Sequence, residues 1–600
     1  MRTPLLRALL LAACLLAALV APAPAAAQLA HSACASSYPP PGDARREGFN
    51  DLLEQAATRQ VDLLILGSSI YTVGGNGGYA VAALNAEFGE LYGNVPATAW
   101  MPVGASFGTS PPSQLGARVA DSAGSAAPSG YASSYALPTF DVYKYTTWSG
   151  TSLQLEPNAF SAVPSEFGIP GAYFRTGAAQ LYRPEWICTS YGGVSSEASS
   201  ATTFGWHVLK RSTDISYPPW GAVFSGGTGG RTTLNQVTSV NIPATDLNGR
   251  AVTPNSATYD AWRLGCPTTN GAAPITYAHD ASNPYYDFIL EHGSGSGQFF
   301  AAAQRWVNTT TTNGIVVSSA SKTGCKMDQV LADHGNAGPL LRAMRPEIVA
   351  IALHTNSAGN SYAAYDAGTP SNSYYHMGLA LIDWVRTYLP NCWIVLIPDG
   401  PRTDLTSPQE TQYSLMVGAH QMLADARPNV LAINLTYALE KAGYTKATQT
   451  FSGYTFKGLW ATATSYAVGD IVSLDGGGEV RYARCLVAHT SGSTSKPFLG
   501  SGSSDVWRAH RRFLVANPDP TSTVNDAVHP GPWGARYAAK LAVHLMTEGL
   551  LNRPKPPRGR AERRRHPRPL ARTTTRTPTR ARTTLAQPRP GTPRGATRGV

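Results

Sequence analysis

Charged side chains are scarce in this chain. Asp, Glu, Lys and Arg make up 14% of its 600 residues, while glycines and prolines number 58 and 45. That balance excludes a coiled coil and a mostly helical solenoid, and no solenoid-type repeat is present. Beyond the N-terminus no stretch approaches ~18 consecutive apolar residues, so no membrane span is expected after the leader. The cysteines show no C-x-x-C or other metal-ligand spacing. Phe, Tyr and Trp are missing from residues 553–600, so stacking of aromatic side chains on bases is not supported there. What remains is 43% apolar residues, enough for several hydrophobic cores. The texture suits turn-rich β modules in an exported protein better than a cytosolic enzyme.

The formal charge of +11 is unevenly placed. Residues 553–600 hold 15 Lys or Arg against the single acid Glu562, so the rest of the chain is mildly acidic. This Pro/Arg/Thr tail cannot bury a core and is expected to be a disordered, solvated segment. Charge alone would let it meet anionic polymers or nucleic acid, but no specific nucleic-acid partner is implied. Residues 1–27 read as a secretory signal. Arg2 and Arg7 precede an apolar run from Ala8 to Val20, and Ala25-Ala26-Ala27 is a small-residue cleavage site. A lipoprotein box at Leu11–Cys14 is disfavoured because the apolar run continues past Cys14. Export implies an oxidising compartment. Cys34, Cys188, Cys266, Cys325, Cys392 and Cys485 remain after processing, and their pairing is open.

Residues 44–58 have the pattern of an amphipathic helix. Val61–Leu66 then reads as a short buried strand ended by Gly67-Ser68-Ser69. From 109 to 312 helical periodicity nearly vanishes, which predicts a β-rich module. Strands and helices then alternate. Strands are expected at Ile315–Val317, Ile348–Leu353, Trp393–Ile397 and Val430–Ile433, and helices at Lys326–Asp333, 376–389, 408–426 and 533–548. Such alternation argues for an α/β fold with a parallel sheet covered on both faces. Its pieces are 40–108, 313–458 and 510–552, interrupted at 109–312 and 459–509.

Four short blocks fall at predicted strand ends or loops, where a parallel sheet places its site. They are Gly67-Ser68-Ser69-Ile70, Ser321-Lys322-Thr323-Gly324, His354-Thr355-Asn356-Ser357 and Asp526-Ala527-Val528-His529-Pro530. Together they can support acyl transfer. A serine hydroxyl needs a base to take its proton, and an imidazole such as His529 titrates in the right range. Asp526, three residues earlier, can bond the other ring nitrogen and stabilise the imidazolium. The backbone N–H groups of Ser69 and Gly324 and the Asn356 amide could donate to the oxyanion. A rival serine, Ser106 in Gly104-Ala105-Ser106-Phe107-Gly108, has the G-x-S-x-G spacing. That motif needs a following helix, and Thr109-Ser110-Pro111-Pro112 follows instead. Gly74-Gly75-Asn76-Gly77-Gly78 lacks a phosphate loop's Gly-Lys-Ser/Thr ending and reads as a rim of the site. His207, His279 and His420 have no ligand-like neighbours and read as structural.

These blocks, in this order, resemble the SGNH (GDSL-type) hydrolase superfamily. The Arg45–Ser69 lead-in and the Asp-x-x-His-Pro block followed by a helix strengthen the resemblance. It implies a three-layer α/β/α, flavodoxin-like parallel sheet interrupted by two β-rich insertions. It also implies Ser69 as nucleophile, His529 and Asp526 as its triad partners, and Gly324 and Asn356 as oxyanion donors, with no metal or cofactor. Three positions depart from the pattern: Ser68 replaces an Asp, His354 a Gly and Ser357 a second Asp. Ser68 thereby becomes a second candidate nucleophile. His354 either lines the substrate pocket or is a hydrogen-bonded loop histidine.

Residues 459–509 contain Trp460, Tyr466, Gly469-Asp470, Tyr482, Cys485, Ala488-His489-Thr490-Ser491, Pro497 and Trp507. This order resembles small chitin-binding-type carbohydrate modules of families 5 and 12, although Tyr482 and Cys485 stand one residue further apart. The resemblance makes Trp460, Tyr466 and Trp507 candidates for stacking on sugar rings; the alternative is that they form the module's small core. The β-rich 109–312 segment suits a jelly-roll insertion, which some carbohydrate esterases of this superfamily carry. Its ligand is open, and a structural lid is the alternative. Tyr285–Ile289 and Phe299-Phe300 around a Gly-rich stretch read as strand–turn–strand.

The expectation is a secreted, extracellular or wall-associated serine esterase that removes acyl groups, O-acetyl foremost, from a glycan or cell-wall polysaccharide. Two alternatives are a carbohydrate-binding or adhesion protein on an inactive hydrolase scaffold, and a lipid esterase.

Overall fold

The computed structural model describes residues 37–71, 79–93, 96–97, 99–102, 118–119, 143–145, 152–155, 181–189, 203–211, 231–253, 260–278, 285–292, 299–321, 325–333, 337–358, 362–398, 405–442, 444–445, 450–451, 455–474, 481–492, 507–510 and 532–551. All of these lie in one unit, Met1–Asn552; the second unit, Arg553–Val600, lies outside the described residues.

The centre of the fold is a six-stranded sheet. Its strands are β1 (Ser37–Tyr38), β2 (Gln60–Gly67), β3 (Gly314–Ser319), β4 (Ile348–Ala352), β5 (Trp393–Leu396) and β6 (Val430–Ile433). They lie in the order β1-β6-β5-β4-β2-β3, with β1 antiparallel at one edge and the other five parallel. Counted along the chain, the parallel strands are arranged 2-1-3-4-5. The order reverses between β2 and β4, a crevice where doubly wound sheets place ligands.

Alternate side chains of each strand point to opposite faces, and here both faces are covered. On one face Leu63 and Ile65 of β2 share a core with Phe49 and Leu53 of α1 (Glu47–Gln55) and Phe88 of α2 (Tyr79–Tyr92). Val543 of the C-terminal helix Pro532–Leu551 completes that core. On the other face Leu64 and Leu66 join α3 (Met327–Asp333), α4 (Ala337–Met344), α6 (Tyr374–Tyr388) and α7 (Ser407–Ala426). Two-sided burial explains why β2 reads as a nearly continuous apolar run. The short helix α5 (His354–Ala358) follows β4 directly, and α8 (Leu435–Lys441) follows β6; the C-terminal helix is therefore α9.

Local signals set the helix ends. The Ser373 side chain accepts from His376 N at the start of α6, and Pro390 follows its last residues. Gln409 accepts the Thr406 N–H at 2.9 Å at the start of α7. At Gly378 a Cβ would stand 2.7 Å from Leu423 Cδ1, so glycine lets α6 and α7 approach closely. The predicted helix 44–58 divides into a 3₁₀ turn, Ala44–Arg46, and α1. Arg46 is buried there and donates to the Leu545 and Met546 carbonyls of α9 at 2.6 and 3.0 Å. Tertiary bonding thus turns a residue that periodicity assigns to a helix surface inward.

Between α2 and β3 the described strands form two antiparallel sheets. The first has the order Ala261–Gly265, Leu181–Thr189, Phe299–Asn308, Met101–Pro102, so its pairing begins upstream of residue 109. The second runs Arg118–Val119, Ser152–Leu155, Tyr285–His292, Thr203–Arg211, Arg231–Asn241. Tyr285–His292 and Phe299–Asn308 are both strands, but in different sheets, so the strand–turn–strand reading does not give a hairpin. The two sheets meet where Trp186 and Phe204, both buried, lie 4.9 Å apart between ring centres.

The first sheet is tied to the parallel sheet by charge. Glu185 is fully buried and contacts Arg183 at 2.6 Å, Arg263 at 2.7 Å and Arg305 at 3.1 Å. Arg305 also pairs with Asp62 of β2 at 3.1 Å. Burial alone would raise the Glu185 pKa, but the guanidiniums of Arg263, Arg305 and Arg183 outweigh it and hold the carboxyl ionised, well below its usual range.

The described residues among 455–474, 481–492 and 507–510 form a four-stranded sheet and a short two-stranded ladder. Their small core is Tyr466, Val472, Ala483 and Cys485, with Trp460 packed against it.

Candidate functional site

At the β2–β4 switch point the first block, Ser321 of the second and the third block come together. The chain leaves β2 at Gly67, and the Ser68 N–H donates to the Ala352 carbonyl of β4 at 3.0 Å. Ser69–Tyr71 then form one 3₁₀ turn. Ser68 is fully buried. That corrects its standing as a second nucleophile, since a fully buried hydroxyl is not presented to any substrate. A Cβ at Gly67 would lie 2.8 Å from Ser321 Oγ, so glycine is what lets the first block seat against the second. Ser319 Oγ, 2.5 Å from the Tyr71 carbonyl and 2.7 Å from Ser321 Oγ, ties the same two segments.

The third block forms α5. Asn356 is half-buried, and its Nδ2 donates to the Cys325 carbonyl at 3.1 Å, next to the second block. Met327 N donates to Ser357 Oγ at 3.3 Å, and Ser357 Oγ donates to the Leu353 carbonyl at 2.7 Å. The third block is therefore joined at two points to Cys325–Met327, the segment that follows the second block.

His354 is fully buried, and its Nε2 lies 3.0 Å from the Tyr413 carbonyl of α7. A carbonyl only accepts, so Nε2 carries the proton. This is the hydrogen-bonded loop reading of His354, not the pocket-lining one. Beside it, His420 Nε2 is 2.8 Å from the Tyr374 hydroxyl. Burial, reinforced by the neighbouring His354, holds the His420 pKa well below the ordinary histidine range.

Asp526, His529 and Gly324 lie outside the described residues, and only the backbone of Ser69 is described. Ile70 and Tyr71, immediately after Ser69, line an apolar cleft with Leu84, Ile397, Leu435 and Ala539. Among the described residues no cluster of His, Cys, Asp or Glu could hold a metal ion, and no helix is long and apolar enough to cross a membrane. Cys266, Cys392 and Cys485 are buried free thiols.

Of the proposed sugar-stacking residues, Tyr466 needs correction. Its ring is 3% exposed, and its hydroxyl accepts the Ala461 N–H at 2.9 Å, so it serves the module's core. Trp460 is partly buried against that core. Trp507 stands opposite Cys485 in the strand ladder. Sequence reading missed the contacts of Ser321, His354 and Ser357. For His420 a signal existed: it shares the spacing of Tyr413, Met416, Val417 and Leu423 along one buried face of α7.

No family model matches the chain, and no curated protein matches it. Among solved structures it is similar to a peptidoglycan O-acetylesterase, at 13% identity over 66% of this chain and 88% of that one, with a TM-score of 0.35. It is also similar to a family two carbohydrate esterase from Clostridium thermocellum, at 11% identity, 48% and 82% coverage and a TM-score of 0.18. A GDSL-like lipase from Bacteroides ovatus matches at 8% identity, 43% and 71% coverage and a TM-score of 0.16. Likeness this weak says nothing about reaction or substrate.

Proposed function

We propose that the protein is a serine esterase of SGNH type that hydrolyses ester groups, O-acetyl foremost, on a carbohydrate. The observation that carries this reading is the meeting of the Gly67–Ile70, Ser321 and His354–Ser357 segments at the switch point of a 2-1-3-4-5 parallel sheet. In the proposed reaction Ser69 Oγ attacks the ester carbonyl while His529 takes its proton, with Asp526 orienting the imidazole. The backbone N–H groups of Ser69 and Gly324 and the Asn356 amide stabilise the oxyanion. His529 then protonates the departing sugar oxygen. Water, deprotonated by His529, cleaves the acyl-enzyme and releases the acid and Ser69.

The signal-like N-terminus supports export. The two antiparallel sheets fit a jelly-roll insertion, and Trp460 and Trp507 are the remaining candidates for glycan contact in a chitin-binding-type module. The partner is an acylated glycan or cell-wall polysaccharide. Fluorophosphonate labelling with the adduct mapped by peptide mass spectrometry tests the reading. An adduct on Ser69 that disappears in His529→Ala is expected. No adduct on the folded protein would point instead to a binding protein on an inactive scaffold.

The apolar cleft beside Ile70 favours a second reading, an esterase for longer acyl chains or lipids. A p-nitrophenyl ester series separates the two: the first expects acetyl to be the best substrate, the second a rise in kcat/KM with chain length.

A further inference from the structure

The turn that carries Asn356 is gripped from both sides by residues flanking it. His354, two positions before, reaches outward to the Tyr413 carbonyl of α7 at 3.0 Å. Ser357, the next residue, accepts from Met327 N at 3.3 Å and donates to the Leu353 carbonyl at 2.7 Å. Both are fully buried, whereas Asn356 between them is only half-buried. α5 spans five residues, too few to hold its shape by internal hydrogen bonds. The support must come from outside the turn.

The far side of that support is closely packed. The His354 ring lies 4.0 Å from the Tyr413 ring, 5.6 Å from His420 and 6.0 Å from Tyr374, between centres. Tyr374 and His420 are bonded to each other at 2.8 Å, which ties the start of α6 to α7 behind His354. The pattern that this chain resembles has Gly and Asp at positions 354 and 357. A glycine would provide no ring to pack and no donor for Tyr413.

We infer that His354 and Ser357 are positioning residues, which clamp the α5 turn so that the Asn356 amide stays fixed beside Cys325 at the β2–β4 switch point. The inference rests on the esterase reading, in which Asn356 donates to the oxyanion. Charge on that oxygen develops only in the transition state, so loosening the donor lowers kcat and spares KM.

The experiment measures kcat and KM for p-nitrophenyl acetate per active site, titrated with a fluorophosphonate, on the full chain and its variants. His354→Phe keeps a ring and loses the donor; kcat is expected to fall about 10- to 100-fold with KM changed less than about twofold. His354→Gln restores an N–H that can reach the same carbonyl and is expected to recover most of the loss. Ser357→Ala is expected to lower kcat about 3- to 10-fold. Thermal unfolding of each variant separates positioning from loss of fold.

A wild-type protein that is not labelled at Ser69 overturns the esterase reading and this inference with it. A labelled wild type overturns the inference alone if His354→Phe keeps its kcat, if the loss falls on KM, or if His354→Gln does no better than His354→Phe. If His354→Phe does not fold, Ser357→Ala decides: an unchanged kcat overturns the clamp.

Discussion

The parallel sheet and the antiparallel sheet beside it are held together by opposite means. In the parallel sheet the strand interiors are mainly aliphatic on both faces, and helices supply apolar partners, aliphatic and aromatic. In the antiparallel region the largest fully buried side chains include Trp186, Trp262, Trp306 and Arg305, and a fully buried carboxylate faces three guanidiniums. Arg305 also lies 4.3 Å over the ring of Trp100. The aliphatic layer tolerates imprecision because dispersion and burial are non-directional. The ionic and aromatic region does not, because each buried charge needs its partner at hydrogen-bond distance. At the strand ends of the parallel sheet, short polar bonds then join the segments that leave them.

The sharpest test concerns that sheet edge. Ser69→Ala is expected to abolish esterase turnover, by about 10⁴-fold or more in kcat, and to leave thermal unfolding almost unchanged. Hydrolysis of p-nitrophenyl acetate at equal concentrations of folded protein checks it.

The next tests set the two regions against each other. Glu185→Ala leaves three guanidiniums facing one another without their carboxylate and is expected to destabilise by about 3–5 kcal/mol. Leu381→Ala, in the wholly buried core under α6, is expected to cost about 2–5 kcal/mol through lost burial and the cavity left behind. Urea unfolding measures both. A Glu185→Ala protein as stable as wild type would break the comparison, because the antiparallel region would then be held by its tryptophans alone.

A smaller effect depends on pH. The folded His420 pKa lies below its ordinary value of 6.5, so the unfolded chain binds the proton more readily. Its contribution to stability is complete above about pH 6.5 and is lost as pH falls towards the folded value. The groups facing it are Tyr374 and His354, with Tyr413 behind His354. Between pH 6.5 and 5 the slope from this residue is expected to be up to about 1.4 kcal/mol per pH unit. His420→Phe should flatten the stability–pH curve by that amount.

The smallest effect lies on the surface. Arg45 and Asp425 pair at 2.6 Å but are 47% and 39% exposed. Asp425→Asn is expected to change stability by less than about 1 kcal/mol, and the difference should shrink further in salt.

Legibility followed the same division. Val61–Leu66, Ile348–Leu353 and Val430–Ile433 were readable as buried strands because two-sided burial writes itself as a nearly unbroken apolar run. Helix α6 was readable from Leu381, Ile382 and Val385 and from Pro390 beyond its end. Arg183, Glu185, Arg263 and Arg305 carry no such signature: taken one by one, charged residues give no sign of which partner would bury them. Tyr466 misled for a related reason, since an aromatic ring in a 50-residue module serves equally well as core or as sugar platform, and only its burial separates the two.

The local pattern of this chain, then, was enough to specify several buried strands and amphipathic helices, and to put Gly67–Ile70 and His354–Ser357 at strand ends, because periodicity and turn chemistry act over a few residues. The pairing of those segments was not. That β2 lies between β3 and β4, that Tyr285–His292 and Phe299–Asn308 belong to different sheets, and that His354 meets Tyr413 are all settled by contacts between residues distant in the chain. Such contacts form only once whole layers pack, when burial of both sheet faces and satisfaction of each buried polar group select one arrangement among many that the local pattern allows.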